Sequence, residues 1–430
     1  MKSITNNTLS KFYIYFLYTT PIFFILGNPF INLFVLVVCL SFYYVRINYK
    51  LLDKSLIYLL TIISIIFLIS SINSVFFEYS LTKSISYLRF FLLLILLPLL
   101  LKKIDINLKN LGIVFFSIIC FVIFDSLIQL FFGKDIFGIP DDKIYNRLSG
   151  PFGDELIVGN FVFYFGFLSL SLMLKNTNIS NYSLFFFFIT IGVFSFITGE
   201  RNTFLSYFIF MFFLFLLSKK KLLIFFSCFT VFLISTCLFL NFERFNIKYN
   251  LNNVQSLVSS EINKEEKKDL TTSKIFLIKV KEKIFNSFWF SHYRGGIKIF
   301  EKNKLYGSGF KTFRYQCPKE FFNEELRERA KIICTTHPHN IYIELLSDTG
   351  ILGFITFLVI CLKYLFQSIK RNWIENNLSI SIINCLLIVY IFPFRPHGSL
   401  FSTSTSFIFW FIFSFLIFNL YNKKSLITSK

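Results

Sequence analysis

The sequence has 430 residues, of which 55% are hydrophobic and only 16% charged, a balance far more apolar than that of an ordinary soluble domain. A formal charge of +20 would suit nucleic acid, but Lys and Arg fall in short segments between apolar runs, where they set orientation in a membrane. A nucleic-acid partner is therefore excluded, and the 64 Phe beside three Trp carry no aromatic-specific chemistry.

A bilayer core takes about 20 apolar residues per helix. In chain order this predicts spans near 12–27, 29–47, 55–74, 84–101, 111–132 and 156–174, then 183–198, 203–218, 222–240, 346–369, 376–394 and 402–420, about twelve in all. The expected fold is all-α and integral to the membrane. It divides into an N-terminal bundle over 1–240, a large extracytoplasmic loop over 241–345 between predicted helices nine and ten, and C-terminal helices with a tail over 346–430. No cleavable signal peptide is expected, because the first apolar run leads directly into further spans without a small-residue cleavage site.

Every second connection is basic. The basic set is Lys2 and Lys11; Arg46, Lys50 and Lys54; Lys102, Lys103 and Lys109; Lys175; Lys219, Lys220 and Lys221; Lys370 and Arg371; and Lys423, Lys424 and Lys430. Positive-inside bias places these and both termini in the cytoplasm. The alternate segments 75–83, 133–155, 199–202, 241–345 and 395–401 then lie outside, and they carry Arg147, Arg201, Arg294, His337, His339, Arg395 and His397. A single Arg at a helix end commonly snorkels to the interface; the gathering of these residues on one face points to a site. Arg89 in the fourth span and Asp125 in the fifth are expected to pair, so that neither is a bare charge in hydrocarbon.

Within the long loop, 251–270 is polar. Residues 273–301 mix apolar and basic positions at near-helical spacing, with Phe288, Trp289 and Phe290 together, which predicts an interfacial helix presenting Arg294. Residues 318–333 predict a short amphipathic helix after Pro318. Most of the eight cysteines fall in spans, as packing residues. Cys317 and Cys334 instead flank the short helix on the oxidising side, and a disulfide between them is expected to anchor the loop ahead of His339.

The segment Thr336-His337-Pro338-His339-Asn340-Ile341-Tyr342-Ile343-Glu344 enters the tenth span. His339-Asn340, nine residues, Gly350, two residues and Gly353 resemble the His-Asn-x9-Gly-x-x-Gly signature of the O-antigen ligase and polymerase superfamily. Gly199-Glu200-Arg201, running on to Leu205, is similar to that family's Arg-bearing segment at an extracytoplasmic helix end. Tyr293-Arg294-Gly295-Gly296 and Gly307-Ser308-Gly309-Phe310 resemble the region before the His motif. The resemblance implies a glycosyltransferase of the bacterial inner membrane acting on the periplasmic face. Its donor would be a polyprenyl-diphosphate-linked glycan, and its acceptor a hydroxyl of lipid A-core or another glycan.

That reaction needs cations at the leaving diphosphate and a base at the acceptor hydroxyl. Arginine binds phosphate oxygens bidentately and stays charged, which makes Arg201 and Arg294, and after them Arg147 and Arg395, the expected diphosphate-binding residues. His339 is the expected base by its place in the motif, with His337, Asn340, Glu344, Gly350 and Gly353 in support. The resemblance implies a metal-independent, inverting transfer without cofactor. Asp141-Asp142 reads as a solvated turn and not as a metal site.

An O-antigen polymerase or a protein O-oligosaccharyltransferase would use the same donor, so the acceptor stays open. A lipid-linked oligosaccharide flippase is the reading from another class. Transporters place charged sites near the bilayer midplane and show repeated halves, whereas here the polar residues lie toward one face and no repeat is visible.

Overall fold

The computed structural model describes residues 2–45, 53–142, 146–175, 177–245, 288–320 and 334–421. Its helices are α1 (Lys2–Tyr18), α2 (Thr20–Ile25), α3 (Asn28–Val45), α4 (Lys54–Ile72), α5 (Phe77–Ile104), α6 (Leu108–Phe132), α7 (Val158–Met173), α8 (Asn181–Ile197), α9 (Arg201–Leu217) and α10 (Lys221–Asn241). Then follow α11 (Phe288–Lys302), α12 (Phe313–Glu320), α13 (Ile341–Glu375), α14 (Leu378–Tyr390) and α15 (Thr403–Tyr421). Among the described residues the only extended pairing is two isolated bridges, Lys134 with Pro140 and Asp142 with Arg147.

Short polar residues start these helices. Asp53, Asn107, Ser180 and Asn377 each accept a first-turn N–H of α4, α6, α8 and α14, which satisfies donors that the helix itself cannot. Each predicted span coincides with a helix. The first is broken: α1 stops at Tyr18, and α2 resumes with Pro21 in its first turn, since proline lacks the N–H that a continuous helix would use.

By length and composition, α3, α4, α5, α6, α10, α13 and α15 suffice to cross a membrane. The apolar α7, α8, α9 and α14 are shorter, at 16, 17, 17 and 13 residues. The protein is thus an all-helical, multi-pass membrane protein. α7 and α15 are buried along almost their whole length and form the centre. α6 and α14 pack on α7, α5 packs on α3, α4 and α15, and α10 lies at the rim against α8 and α9. Trp410 stitches α15 to α5 by donating its indole N–H to the Tyr87 hydroxyl at 2.9 Å.

Polar contacts separate the two ends. At one end Lys175 reaches Asn419, Arg371 pairs with Glu375 at 2.9 Å, and Tyr364 donates to Asp53 at 3.0 Å. There too Asn372 donates to the carbonyl of Leu217 at 3.3 Å. The candidate site occupies the other end.

Three expectations change. Arg89 and Asp125 do not pair, because α5 and α6 face different neighbours: Arg89 turns to Thr403 at 3.5 Å, and Asp125 accepts the N–H of Ile136 at 3.0 Å. The short loop helix starts earlier than predicted, with Pro318 inside α12, because the Thr312 carbonyl accepts the N–H groups of Tyr315 and Gln316 and opens the helix there; 321–333 lie outside the described residues. Asp141 is not a solvated turn residue, for its carboxylate is held by Arg244 at 2.7 Å. Of the expected interfacial helix, α11 is seen, and 273–287 lie outside the described residues, as do 251–270.

Candidate active site

Asn340 sets the entry to α13. Its side-chain oxygen accepts the N–H groups of Tyr342 and Ile343 at 3.0 and 3.2 Å. His339, just before it, adopts a left-handed φ of 56°, a conformation few non-glycine residues take and one often found at functional positions. The twist turns the incoming chain into the helix and brings His337 back over His339, with ring centres 4.1 Å apart.

α11 closes over the same place. Gly296 lets it approach, because a Cβ there would lie 2.3 Å from the Ile343 side chain. That approach buries His292 completely, its ring centre 5.0 Å from that of His339. His397, from the 391–402 segment, donates its main-chain N–H to the carbonyl of His339 at 2.8 Å, and its own carbonyl lies 3.2 Å from Nε2 of His337. The chain has four histidines in all, and they meet here. Burial above all pushes His337 down to about 3 and His339 down to about 4, with the neighbouring imidazoles adding to both and contacts with His397 opposing. Both rings are therefore neutral near pH 7. His397 is held well below the usual range, by burial and then by Arg395.

Every polar side chain of the Asn340–Glu344 stretch grips the 391–402 segment. Asn340 donates to the carbonyl of Pro393 at 2.9 Å and Tyr342 to that of Ile391, while Glu344 accepts the Ser399 hydroxyl and, at 2.7 Å, the N–H of Leu400. Asn202 and Lys311 grip it from elsewhere, at the carbonyls of Pro396 (2.8 Å) and Phe401 (2.9 Å). The polar spacing of the motif is thus that of a staple for the segment that carries Arg395 and sets the main chain of His397 against His339.

Gly350 of the motif has a separate task, whereas Gly353 lies within α13, where a Cβ would meet the Thr349 side chain at 2.0 Å. At Gly350 the helix breaks, with φ +66°, and a Cβ there would meet the carbonyl oxygen of Leu305 at 2.4 Å. A Cβ on Gly307 would meet the backbone of Asp348 at 2.4 Å. Two backbones can touch here because neither carries a side chain. Ser308 and Gly309 donate N–H groups to the carbonyls of Ser347 and Asp348 at 2.9 and 3.2 Å, and Ile351 donates to that of Lys304 at 2.8 Å. Beside this weld, a disulfide joins Cys317 of α12 to Cys334, three residues before His337.

The predicted arginines divide. Arg395 is buried, with Nη1 donating to the Tyr164 hydroxyl at 2.6 Å. Arg147 donates to the carbonyl of Leu156 at 2.6 Å and lies 3.9 Å from Glu200. Glu200 in turn accepts the N–H of Gly159 at 2.7 Å and the Thr203 hydroxyl at 2.7 Å; burial pushes its carboxyl up, against the pull of Arg147. Arg201 opens α9 on the exposed surface beside them, and Arg294 is exposed on α11, two residues after His292. Sequence reasoning missed His292, which belongs to no motif; its one signal was that only three other histidines exist, all of them singled out.

Neutral imidazoles can take a proton from a hydroxyl, and arginines at the same end of the bundle can hold an anion, which together suit transfer of a group from a phosphate leaving group. Among the described residues no group of three or more His, Cys, Asp or Glu side chains is arranged to hold a metal ion. No curated protein matches the chain. Residues 185–358, from α8 through the Gly350 break, match the family described as O-antigen ligase. The match covers His292, His337 and His339, so this part of the membrane protein is similar to the O-antigen ligase family.

Proposed function

We propose that the protein transfers a glycan from a polyprenyl diphosphate to an acceptor hydroxyl, as an O-antigen ligase with lipid A-core as acceptor. The observation that carries this reading is the meeting of all four histidines at the end of the bundle where Arg395 is buried. His339 takes the hydroxyl proton as the acceptor oxygen bonds to the anomeric carbon. The carbon–oxygen bond to the phosphate breaks with its electron pair, and the diphosphate departs against Arg201, Arg294, Arg147 and Arg395. In the free protein His339 is neutral and so ready to accept; the negative donor beside it raises its basicity when bound. Direct attack inverts the anomeric centre and needs no metal, and comparing linkage stereochemistry in donor and product tests the inversion.

The twelve apolar stretches act as spans, with both termini cytoplasmic and the site on the periplasmic face of the inner membrane. The basic connections at the opposite end support this orientation. The parts 1–240, 241–345 and 346–430 then serve as bundle, outer subdomain and closing helices.

Lipopolysaccharide profiling in a strain lacking this gene, complemented with wild type or His339→Ala, tests the reading. Polymer retained on the carrier lipid beside bare core, restored by wild type but not by the variant, is expected. Core carrying a single repeat unit would make the protein a polymerase, and full complementation by the variant would remove His339 as base.

A further inference from the structure

α6 has 25 residues, a length of about 37 Å against a hydrocarbon core of about 30 Å. At Gly133, with a left-handed φ of 75°, the helix stops and the chain turns back along it. Asp125 accepts the N–H of Ile136 at 3.0 Å, and the ring of Phe137 lies edge-on to that of Phe121 with centres 6.4 Å apart. Asp125 and Phe121 stand about 10 and 16 Å down the axis from the end of α6 at Phe132. Even if the whole surplus length of about 7 Å projected at this end, Ile136 and Phe137 would lie below the hydrocarbon boundary. Tilting the helix only draws them deeper.

Irregular backbone persists at such a depth only where its polar groups are satisfied, and α6 helps to satisfy them. Gln129, one turn above Asp125, donates to the carbonyls of Ile139 and Pro140, each at 3.2 Å. Its side-chain oxygen accepts the N–H groups of Ser149 and Gly150 at 3.0 and 2.9 Å. Within the turn, Asp135 and Gly138 donate N–H groups to the carbonyls of Ile139 and Asp135 at 2.9 and 3.1 Å, and Asp141 donates to that of Gly133 at 3.1 Å. The Asp135 carboxylate takes the N–H of Ile139 at 2.6 Å. The side chains that point outward are apolar. Ile136 is 50% and Phe137 64% exposed, and they continue the exposed face of α6 that carries Phe121, Phe124 and Phe131. Lys134 is exposed where the chain turns down, on a stem long enough to return its ammonium to the headgroups.

We infer that residues 133–142 form a re-entrant hairpin whose Ile136–Phe137 tip inserts among the lipid acyl chains of the leaflet at the histidine end of the bundle. The inference rests on α6 as a membrane span and not on the transfer proposed above. The occupant is lipid because the tip is continuous with the outward face of a membrane-crossing helix. Asp125 and Gln129, both buried, are the latch that holds irregular backbone at that depth. The base of the hairpin joins the main chain of Arg147, through N–H groups exchanged between Asp142 and Arg147 at 3.2 Å both ways. The lipid contact thereby fixes the height of Arg147 against the leaflet.

The test uses the full chain in phosphatidylcholine nanodiscs and reads the emission that Phe137→Trp adds to that of the three native Trp. Lipid brominated along its acyl chains is expected to quench the added emission, and aqueous iodide to leave it unchanged. Quenching by iodide would put the tip in water and overturn the inference. Protection from both quenchers would show that another protein surface covers the tip, and would overturn it equally. Adding Asp125→Leu, which strands the Ile136 N–H, should release the tip, with loss of quenching by brominated lipid and gain of quenching by iodide. Unchanged quenching there would overturn Asp125 as the latch. Phe137 is exposed, so Phe137→Trp leaves the fold in place and decides by itself should the double variant fail to fold.

Discussion

Nε2 of His337 lies 3.2 Å from the main-chain oxygen of His397, and because a carbonyl can only accept, that nitrogen carries the ring proton. Nδ1 is then the lone-pair nitrogen, and it takes the Thr336 hydroxyl at 2.9 Å. Both nitrogens of His337 are occupied. The ring can orient His339 but has no lone pair left for a substrate.

His339→Ala should therefore lower kcat by about 10²–10⁴-fold, the usual worth of a general base. His337→Gln, which keeps a donor toward His397, should cost about tenfold or less. Transfer of a fluorescent lipid-linked glycan in proteoliposomes measures both, and a larger loss for His337→Gln would move the base to that residue.

The depressed histidines predict a stability slope. The unfolded chain takes protons on His337 and His339 near pH 6.5, whereas the folded protein resists them down to about 3 and about 4. Stability therefore falls as pH drops from about 6.5 toward 3 and is flat with respect to these groups above that window. Glu200, with its raised carboxyl, slopes the other way, so the contribution is read as the difference between wild type and His337→Gln. Thermal midpoints at pH 7.5 and 5 should fall less in the variant; parallel falls would mean that His337 is not held neutral by the fold.

Gly350→Ala should destabilise the protein by about 2–4 kcal/mol, since it adds a left-handed strain to a backbone clash. Gly307→Ala should act similarly, and the two together by less than their sum, because either one opens the same weld. Thermal unfolding in detergent reads this, and strict additivity would show that the two glycines are not one contact.

Reducing the disulfide, or replacing Cys317 and Cys334 by Ser, removes a cross-link 17 residues apart in sequence. About 3 kcal/mol of stability is expected to go, on the chain-entropy account. Activity should fall at the same reductant concentration that raises protease cutting near 334–337. Cutting without loss of activity would show that the cross-link does not serve the histidines.

Glu344→Ala strands the Ser399 hydroxyl and the Leu400 N–H, at a cost of about 1–3 kcal/mol. Through the loosened segment, the donor KM should rise more than kcat falls, with Glu344→Gln recovering part of the difference. A change in kcat alone would count against the staple.

The helices were legible because burial in lipid writes itself as runs of apolar residues; the Asn, Asp and Ser caps at the run edges went unread. The break at Thr19 was not legible, since Pro21 sits inside an otherwise unbroken apolar run. Arg89 and Asp125 looked like partners only because sequence gives the order of helices and not which helices touch. The site was half legible: a motif fixes His339, Asn340 and Glu344 by spacing, but His292 joins them through packing of α11 on α13, which no local pattern encodes. The motif also hid a division of labour, for its polar members hold a neighbouring segment and Gly350 holds a backbone crossing.

That crossing divides α13 into two mechanical pieces. The portion above Gly350 is fastened to the 304–312 turn and the 391–402 segment, and the lower portion packs among the membrane helices. A bilayer that thickens or thins tilts the lower portion, and because Ile351 just below the break donates its N–H to the Lys304 carbonyl at 2.8 Å, that tilt is carried into the 304–312 turn. The histidine end is in this way coupled to lipid thickness, and transfer rates should differ between short-chain and long-chain lipid vesicles.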